Sequence, residues 1–310
     1  MKYVFGIDVG GTTVKMGLFE TTGTLMDKWE IVTRTEQNGR YILSDIAKSL
    51  EQNMQKHHIT KADVLGAGIG VPGPVTADGM VNHCVNLGWG KKYVTTELAA
   101  LTGFSVKAGN DATLAALGEV WQGSGVGYQD VLLVTIGTGI GGGLVIDGHI
   151  VTGATGSGAE IGHICVNPQE TEVCSCGKKG CLEQYTSATG IVHMAKKRLA
   201  SSQTHSVLQD MQNFTAKDVI DAAKAGDTLA SDVVDNMAKT MGLALASCCA
   251  VADVALFIIG GGVSKAGDFL LNPIQKYYRM FAFHTQTEAK FQLAKLGNDA
   301  GIYGAACLII

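Results

Sequence analysis

The chain has 310 residues, a formal net charge of −4, 46% hydrophobic residues and 17% charged ones. Its length calls for about two domains at roughly 100–200 residues each, and with no basic run longer than Lys196, Lys197 and Arg198 neither nucleic acid nor an anionic membrane is an expected partner. Glycine is the outlier, 41 residues against only four prolines, well above the roughly 7% of average proteins, which indicates tight turns and backbone brought close to ligands.

In chain order, the N-terminal MKYVFGIDVGG carries one lysine and an apolar run that stops at Asp8, so it does not read as a signal peptide. YVFGID, TVKMGLF and TLMDKWEIV read as strands, separated by the turn signals Gly-Gly-Thr and Thr-Thr-Gly. A helix follows, with Tyr41, Ile42, Ile46, Leu50 and Met54 at helical spacing. VLGAGIGVPGPV is a strand whose prolines end regular pairing. FSVKAGNDATLAALGEV predicts strand, turn and helix, with Asn110 or Asp111 at the helix start. DVLLVTIGTGIGGGLVIDG then repeats the opening pattern, setting Val9-Gly10-Gly11-Thr12 against Ile136-Gly137-Thr138-Gly139 at an offset of 127 residues.

Further on, Ala230, Val233, Met237, Met241, Leu245 and Cys248 form one apolar helical stripe, which puts Cys248 in the core. The apolar stretch from Met241 to Val263 is broken by Asp253 and by Gly260, Gly261 and Gly262. A buried helix and a buried strand therefore account for it better than a membrane span. A last helix begins near Asp299. The expected location is the cytoplasm, where thiols stay reduced, so eight cysteines argue for metal or reactive thiols before disulfides.

Glycine clusters at 10–11, 137–143 and 260–262 each end an apolar strand. Such turns let backbone N–H groups converge on an anion. None has Walker A spacing, and none is a dinucleotide-type G-x-G-x-x-G feeding a helix.

DVGGTTVKMGLF, GVPGPV, NLGW, GNDATLAALGE, TIGTGIGGG, GAEIGHI and CSCGKKGCLE occur in that order. Together they resemble the ROK family of sugar kinases and repressors, over essentially the whole chain. The resemblance implies an α/β, two-lobed actin/hexokinase-like (ribonuclease H-like) ATPase fold with a ligand cleft between the lobes. The expected division is residues 1–117, completed by the C-terminal helix over 297–310, and residues 118–296, which carry the cysteine loop. By the same resemblance, ATP is bound by Asp8, Gly10, Gly11, Thr12 and Thr13, by Gly137, Thr138 and Gly139, and by Gly260, Gly261 and Gly262. Asn86 and Asn110 match sugar contacts and Asp111 the catalytic aspartate, a general base that also touches the sugar; relatives often read Asn-Asp-Ala-Asn where this chain has Thr113. Taken alone, Asp111 is as readily a helix N-cap. A kinase needs a carboxylate within reach of the acceptor hydroxyl, with Mg²⁺ neutralising phosphate charge.

Three of the eight cysteines, Cys174, Cys176 and Cys181, lie within eight residues. A redox dithiol is usually C-x-x-C, and four-coordinate zinc needs one more ligand. His163, eleven residues upstream, completes a Cys₃His set, read as one structural Zn²⁺ per chain because no position is left open. A nucleic-acid zinc knuckle has different spacing and would want basic and aromatic flanks. Glu160 and Glu183 flank the set, and the resemblance gives Glu160, His163 and Glu183 sugar-binding roles.

The expected activity is ATP-dependent phosphorylation of the 6-hydroxyl of glucose. The alternative is a kinase for N-acetylmannosamine, N-acetylglucosamine, fructose or allose. A sugar-sensing regulator is a third reading, but family repressors carry a helix-turn-helix domain ahead of the first motif, which here begins at Asp8. A homo-oligomer, dimer or tetramer, is implied by resemblance.

Overall fold

The computed structural model describes residues 2–76 and 78–310. β1 (Tyr3–Val9) and β2 (Thr13–Glu20) form an antiparallel hairpin in which Val9 faces Val14 and Asp8 faces Lys15. β3 (Leu25–Val32) extends it and alternates half-buried with exposed residues, as an edge strand with one face on the core does. After the single turn α1 (Glu36–Gly39), α2 (Ile42–Lys56) buries Ile42, Ile46, Leu50 and Met54. β4 (Val64–Val71) is buried almost throughout and stops before Pro72. The short strands β5 (Met80–Val81) and β6 (Lys92–Tyr93) pair antiparallel. α3 (Val94–Thr102) ends on Gly103 in the left-handed region, φ 78°. β7 (Val106–Asn110) runs directly into α4 (Asp111–Gln122).

The pattern then repeats. β8 (Val131–Ile136), β9 (Ile140–Ile146) and β10 (His149–Ile150) are followed by the cysteine loop, a short α5 (Glu183–Thr186) and α6 (Ala188–Ser201). α7 (Ala216–Lys224) starts on a Thr215/Asp218 capping box, and α8 (Thr228–Ala252) on the Asp227 N-cap. β11 (Leu256–Gly260), α9 (Asp268–Phe281), β12 (Lys290–Leu293) and α10 (Ala300–Ile309) complete the chain.

The two five-stranded sheets have orders β3-β2-β1-β4-β7 and β10-β9-β8-β11-β12. They are the same arrangement twice, a three-strand meander continued by two more strands. The faint repeat at offset 127 is therefore a repeat of topology, with Val9 and Ile136 at matching strand ends.

The chain folds as two compact units, one of residues 1–131, 143–159 and 295–310, the other of 132–142 and 160–294. Residue 117 lies inside α4, so this helix belongs whole to the first unit. There α10 packs on α4 and β1, with Gly118 and Gly304 permitting close approach: a Cβ on Gly118 would lie 2.8 Å from Gly304 N. The carboxylate of Glu119, fully buried, accepts from the backbone N–H of Leu296 at 2.7 Å and of Ser124 at 2.8 Å.

The α8 stripe ends differently from the sequence expectation. Cys249 is fully buried while Cys248 is only partly so. No helix among the described residues is long and apolar enough to cross a membrane.

Candidate active site

In the first unit the chain turns from β1 to β2 through Gly10–Thr12. The Gly10 N–H donates to Thr13 O at 2.9 Å, and the Thr33 hydroxyl donates to Gly10 O at 2.7 Å. Among the described residues the Gly11 and Thr12 amides have no intramolecular acceptor. Two consecutive free N–H groups are donors that an anion could use. The carboxyl of Asp8, at the base of this turn, is pushed up to about 6 by burial and by the charge of Asp111, with Lys15 opposing. The Lys15 ammonium also donates to Asn298 O at 3.1 Å.

The α4 start separates two residues that the sequence leaves equivalent. Asn110 is the N-cap: its Oδ1 accepts the Thr113 N–H at 3.1 Å, and its Nδ2 donates to Gly73 O at 3.2 Å. Thr113 is buried and serves this cap. Asp111 is thus released from capping, and its carboxylate accepts the N–H of the next residue, Ala112, at 2.8 Å, with the Asn110 side chain also donating to it. Burial raises its carboxyl above the usual range, and no cation pairs with it among the described residues. Asn86 stands exposed on a tight turn closed by reciprocal Cys84 and Trp89 backbone bonds of 2.8 and 3.0 Å. A Cβ on Gly11 would lie 3.8 Å from Asn86 O, so this turn abuts the first glycine loop.

The second unit builds the corresponding loop at Gly137–Gly139. Gly137 N–H donates to Gly139 O at 3.0 Å, and again two amides, of Thr138 and Gly139, have no intramolecular acceptor among the described residues. The start of α6 buttresses the loop: Ala188 N–H donates to Gly137 O at 2.8 Å and the Thr189 hydroxyl to Thr138 O at 2.9 Å. Gly261 has φ +85°, and a Cβ there would lie 2.5 Å from Ile136 O, so glycine is required. Gly137, Thr138 and Gly262 line one cavity of about 480 Å³ together with Ala188, Thr215, Lys217 and Lys224. That is enough room for a nucleoside, and the lysines add cations that the motifs did not indicate. Their one visible sequence signal is the Thr215-x-x-Asp218 capping box that starts α7.

In the same unit His163 Nδ1 and the sulfurs of Cys174, Cys176 and Cys181 all lie within 4.8 Å of one another. Cys176 and Cys181 Sγ are 3.6 Å apart, and Cys174 Sγ is 3.9 Å from His163 Nδ1. A tetrahedral ion with bonds of about 2.3 Å to sulfur has edges of about 3.8 Å. The donor set therefore fits a four-coordinate metal of the zinc type in both chemistry and spacing. Glu183, two residues beyond Cys181, accepts the Ser175 hydroxyl at 2.9 Å and the Ile140 N–H at 3.0 Å. Glu160 is exposed at the start of the turn that carries His163 and makes no side-chain hydrogen bond among the described residues.

Comparison with known proteins identifies the family and the fold. The ROK family's sequence profile matches residues 4–310. The chain is 42% identical to a glucokinase of Halalkalibacterium halodurans, covering 99% of this chain and 95% of that one. It is 34% identical to a glucokinase of Thermotoga maritima, covering 99% and 96%. The crystal structure of a ROK family glucokinase from Streptomyces griseus, in complex with glucose and AMPPNP, superposes with a TM-score of 0.76 at 32% identity, covering 99% and 98%. The duplicated sheets are those of the actin/hexokinase-like fold, and the chain belongs to the ROK family.

Proposed function

We propose that this protein transfers the γ-phosphoryl group of ATP to the 6-hydroxyl of glucose, with Asp111 as general base. The observation that carries the reading is the division of roles at the start of α4. Asn110 takes the cap, which leaves a buried, cation-free carboxylate with raised proton affinity. That suits a group that must accept a hydroxyl proton near neutral pH. The glucokinase relatives, and the glucose and AMPPNP bound in the Streptomyces griseus structure, supply the substrates of the proposal.

In this mechanism the free amides at Gly11, Thr12, Thr138 and Gly139 hold phosphate oxygens, and the cavity beside Gly262 takes the adenosine. Asn86, Asn110, Glu160, His163 and Glu183 bind sugar hydroxyls, and Asp111 removes the 6-hydroxyl proton as the oxygen attacks. Catalysis is then mostly positioning and charge stabilisation. Asp8, a buried carboxylate at the base of the first glycine loop, is a hard oxygen donor suited to Mg²⁺, which leaves Asp111 free to act as the base. When bound with ATP, Mg²⁺ neutralises charge on the transferring phosphoryl group.

We further assign the Cys₃His cluster to a structural zinc, since four protein ligands leave no open coordination position. Its role is to fix the loop that carries Glu160, His163 and Glu183. A homo-oligomer, dimer or tetramer, is carried into the proposal on family resemblance, and the mass in solution tests it.

A coupled ATP assay over a sugar panel tests the reading. Glucose is expected to give the highest kcat/KM against mannose, fructose, N-acetylglucosamine and N-acetylmannosamine. Preference for an N-acetyl sugar would move the chain to another branch of the family. Sugar binding without turnover of any sugar would make it a sensor.

A further inference from the structure

A fourth thiol lies beside the metal loop and outside the ligand set. Cys165 is exposed, and its strand segment forms an antiparallel bridge in which Cys165 faces Cys181 directly. The hydrogen bonds flanking this pair are Val166 N–H to Gly180 O at 2.7 Å and Leu182 N–H to Ile164 O at 2.8 Å. Neither residue of the pair bonds to the other, so they occupy a non-hydrogen-bonded site. Opposed residues at such a site have Cα atoms about 4.5 Å apart, with side chains on one face of the ladder. That separation falls within the roughly 4.4–6.8 Å window of disulfides. Gly180 (φ +74°), next to Cys181, packs closely against this segment: a Cβ there would collide with Asn167 O and sit 3.3 Å from Cys165 Sγ.

We infer that Cys165 and Cys181 form an oxidative modification site, a cross-strand disulfide that withdraws Cys181 from the Cys₃His set. Cys165 is the entry point because its thiol is exposed, whereas Cys181 is buried. With a peroxide as oxidant, the Cys165 thiolate attacks one peroxide oxygen, giving a sulfenic acid and releasing water. The Cys181 sulfur then attacks the Cys165 sulfur and displaces the hydroxyl group as a second water. Two thiols lose two electrons and two protons, and hydrogen peroxide is reduced to two waters. The remaining donors, His163, Cys174 and Cys176, are one short of a closed tetrahedron. Glu183, two residues past Cys181, loses its fixed base at the same time. The consequence for metal and sugar rests on the proposed zinc, while the disulfide itself does not.

The test uses the full-length protein as purified. Graded hydrogen peroxide is applied under native conditions, remaining thiols are alkylated, and the chain is cleaved after glutamate and lysine. This places Cys165 on fragment 161–170, Cys174 and Cys176 on 173–178, and Cys181 on 180–183, so a 165–181 link differs in mass from any link to Cys174 or Cys176. The expected first product links 161–170 to 180–183, forms in step with metal released to a chromogenic chelator, and is reversed by dithiothreitol. Cys165→Ser should keep metal and basal activity and release metal at least five-fold more slowly at equal peroxide. A first disulfide within Cys174, Cys176 and Cys181, with Cys165 still alkylated, would overturn the inference. So would unchanged metal release in Cys165→Ser. If the parent holds no zinc but the 165–181 link forms, the zinc assignment fails and the modification site stands.

Discussion

Glu183 and Ile140, 43 residues apart in sequence, are joined by a 3.0 Å hydrogen bond from the Ile140 N–H to Glu183 Oε2. The cysteine loop and the second glycine hairpin therefore share one carboxylate. A Cβ on Gly139 would collide with that same oxygen. The hairpin proposed to offer free amides to phosphate and the loop proposed to hold sugar are thus tied together by the Glu183 side chain.

Glu183→Ala leaves the Ile140 amide, on a residue only 6% exposed, without its acceptor. Its cost is about 1–3 kcal/mol of stability. Glucose KM should also rise at least about ten-fold, because binding and anchoring are lost together. Glu183→Gln keeps one acceptor oxygen and should recover most of the stability but little of the affinity. Thermal melts and steady-state kinetics separate the two effects; parental glucose KM in both variants would remove Glu183 from the sugar site.

At the start of α4, Asp111→Asn should lower kcat by about 10²-fold or more, the usual worth of a general base. Its melting temperature should stay near that of the parent, because the cap is on Asn110. Asn110→Ala should instead cost about 1 kcal/mol of stability. Near-normal turnover by a folded Asp111→Asn protein would exclude the residue as base.

The strands were legible because buried β4 and β8 are continuous apolar runs and β3 alternates. The roles of Asn110 and Asp111 were not, since both residue types cap helices and only the backbone turn decides which one does. At the end of α8, three residues beyond Leu245 falls about 60° short of a full turn, whereas four overshoots by about 40°. The four-residue step from Met241 through Leu245 therefore leads to buried Cys249 and leaves Cys248 half out. The Glu183–Ile140 bond and the Cys165–Cys181 register are long-range pairings that no local pattern encodes.

Asp8 predicts an unusual pH dependence. Its folded carboxyl titrates at about 6, above the roughly 3.9 of an unfolded aspartate. The folded state therefore holds its proton more tightly, and this residue favours folding most below about pH 4. That contribution is lost as pH rises from about 4 to 6. Asp8→Asn should stabilise the protein at pH 7–8 without nucleotide or metal, by an order of 2–3 kcal/mol, and the gain should vanish near pH 4. Activity should fall in the same variant, since a functional charge is being exchanged for stability. Urea titrations at several pH values check this; an Asp8→Asn protein less stable than the parent at pH 8 would contradict it.

The zinc proposed for the Cys₃His cluster would join three sugar-binding candidates to one ion. His163 is a proposed ligand, Glu160 begins its turn, and Glu183 follows Cys181 by two residues. The free amides of the first glycine loop lie on another segment, in the first unit. Loss of one ligand should therefore loosen the sugar groups together and leave most nucleotide contacts in place. Metal analysis of the parent should find about one zinc per chain, matching a single four-ligand set. Cys176→Ser should lose that zinc, and its glucose KM should rise at least about ten-fold while ATP KM changes by no more than about two-fold. Cys176 is an exposed ligand whereas Cys174 and Cys181 are buried, so this substitution is the one best tolerated by the surrounding packing. Circular dichroism confirms that the variant is folded before its kinetics are read. A zinc-free parent with full activity, or a metal-free Cys176→Ser protein with unchanged glucose KM, would show that the cluster does not support the sugar site.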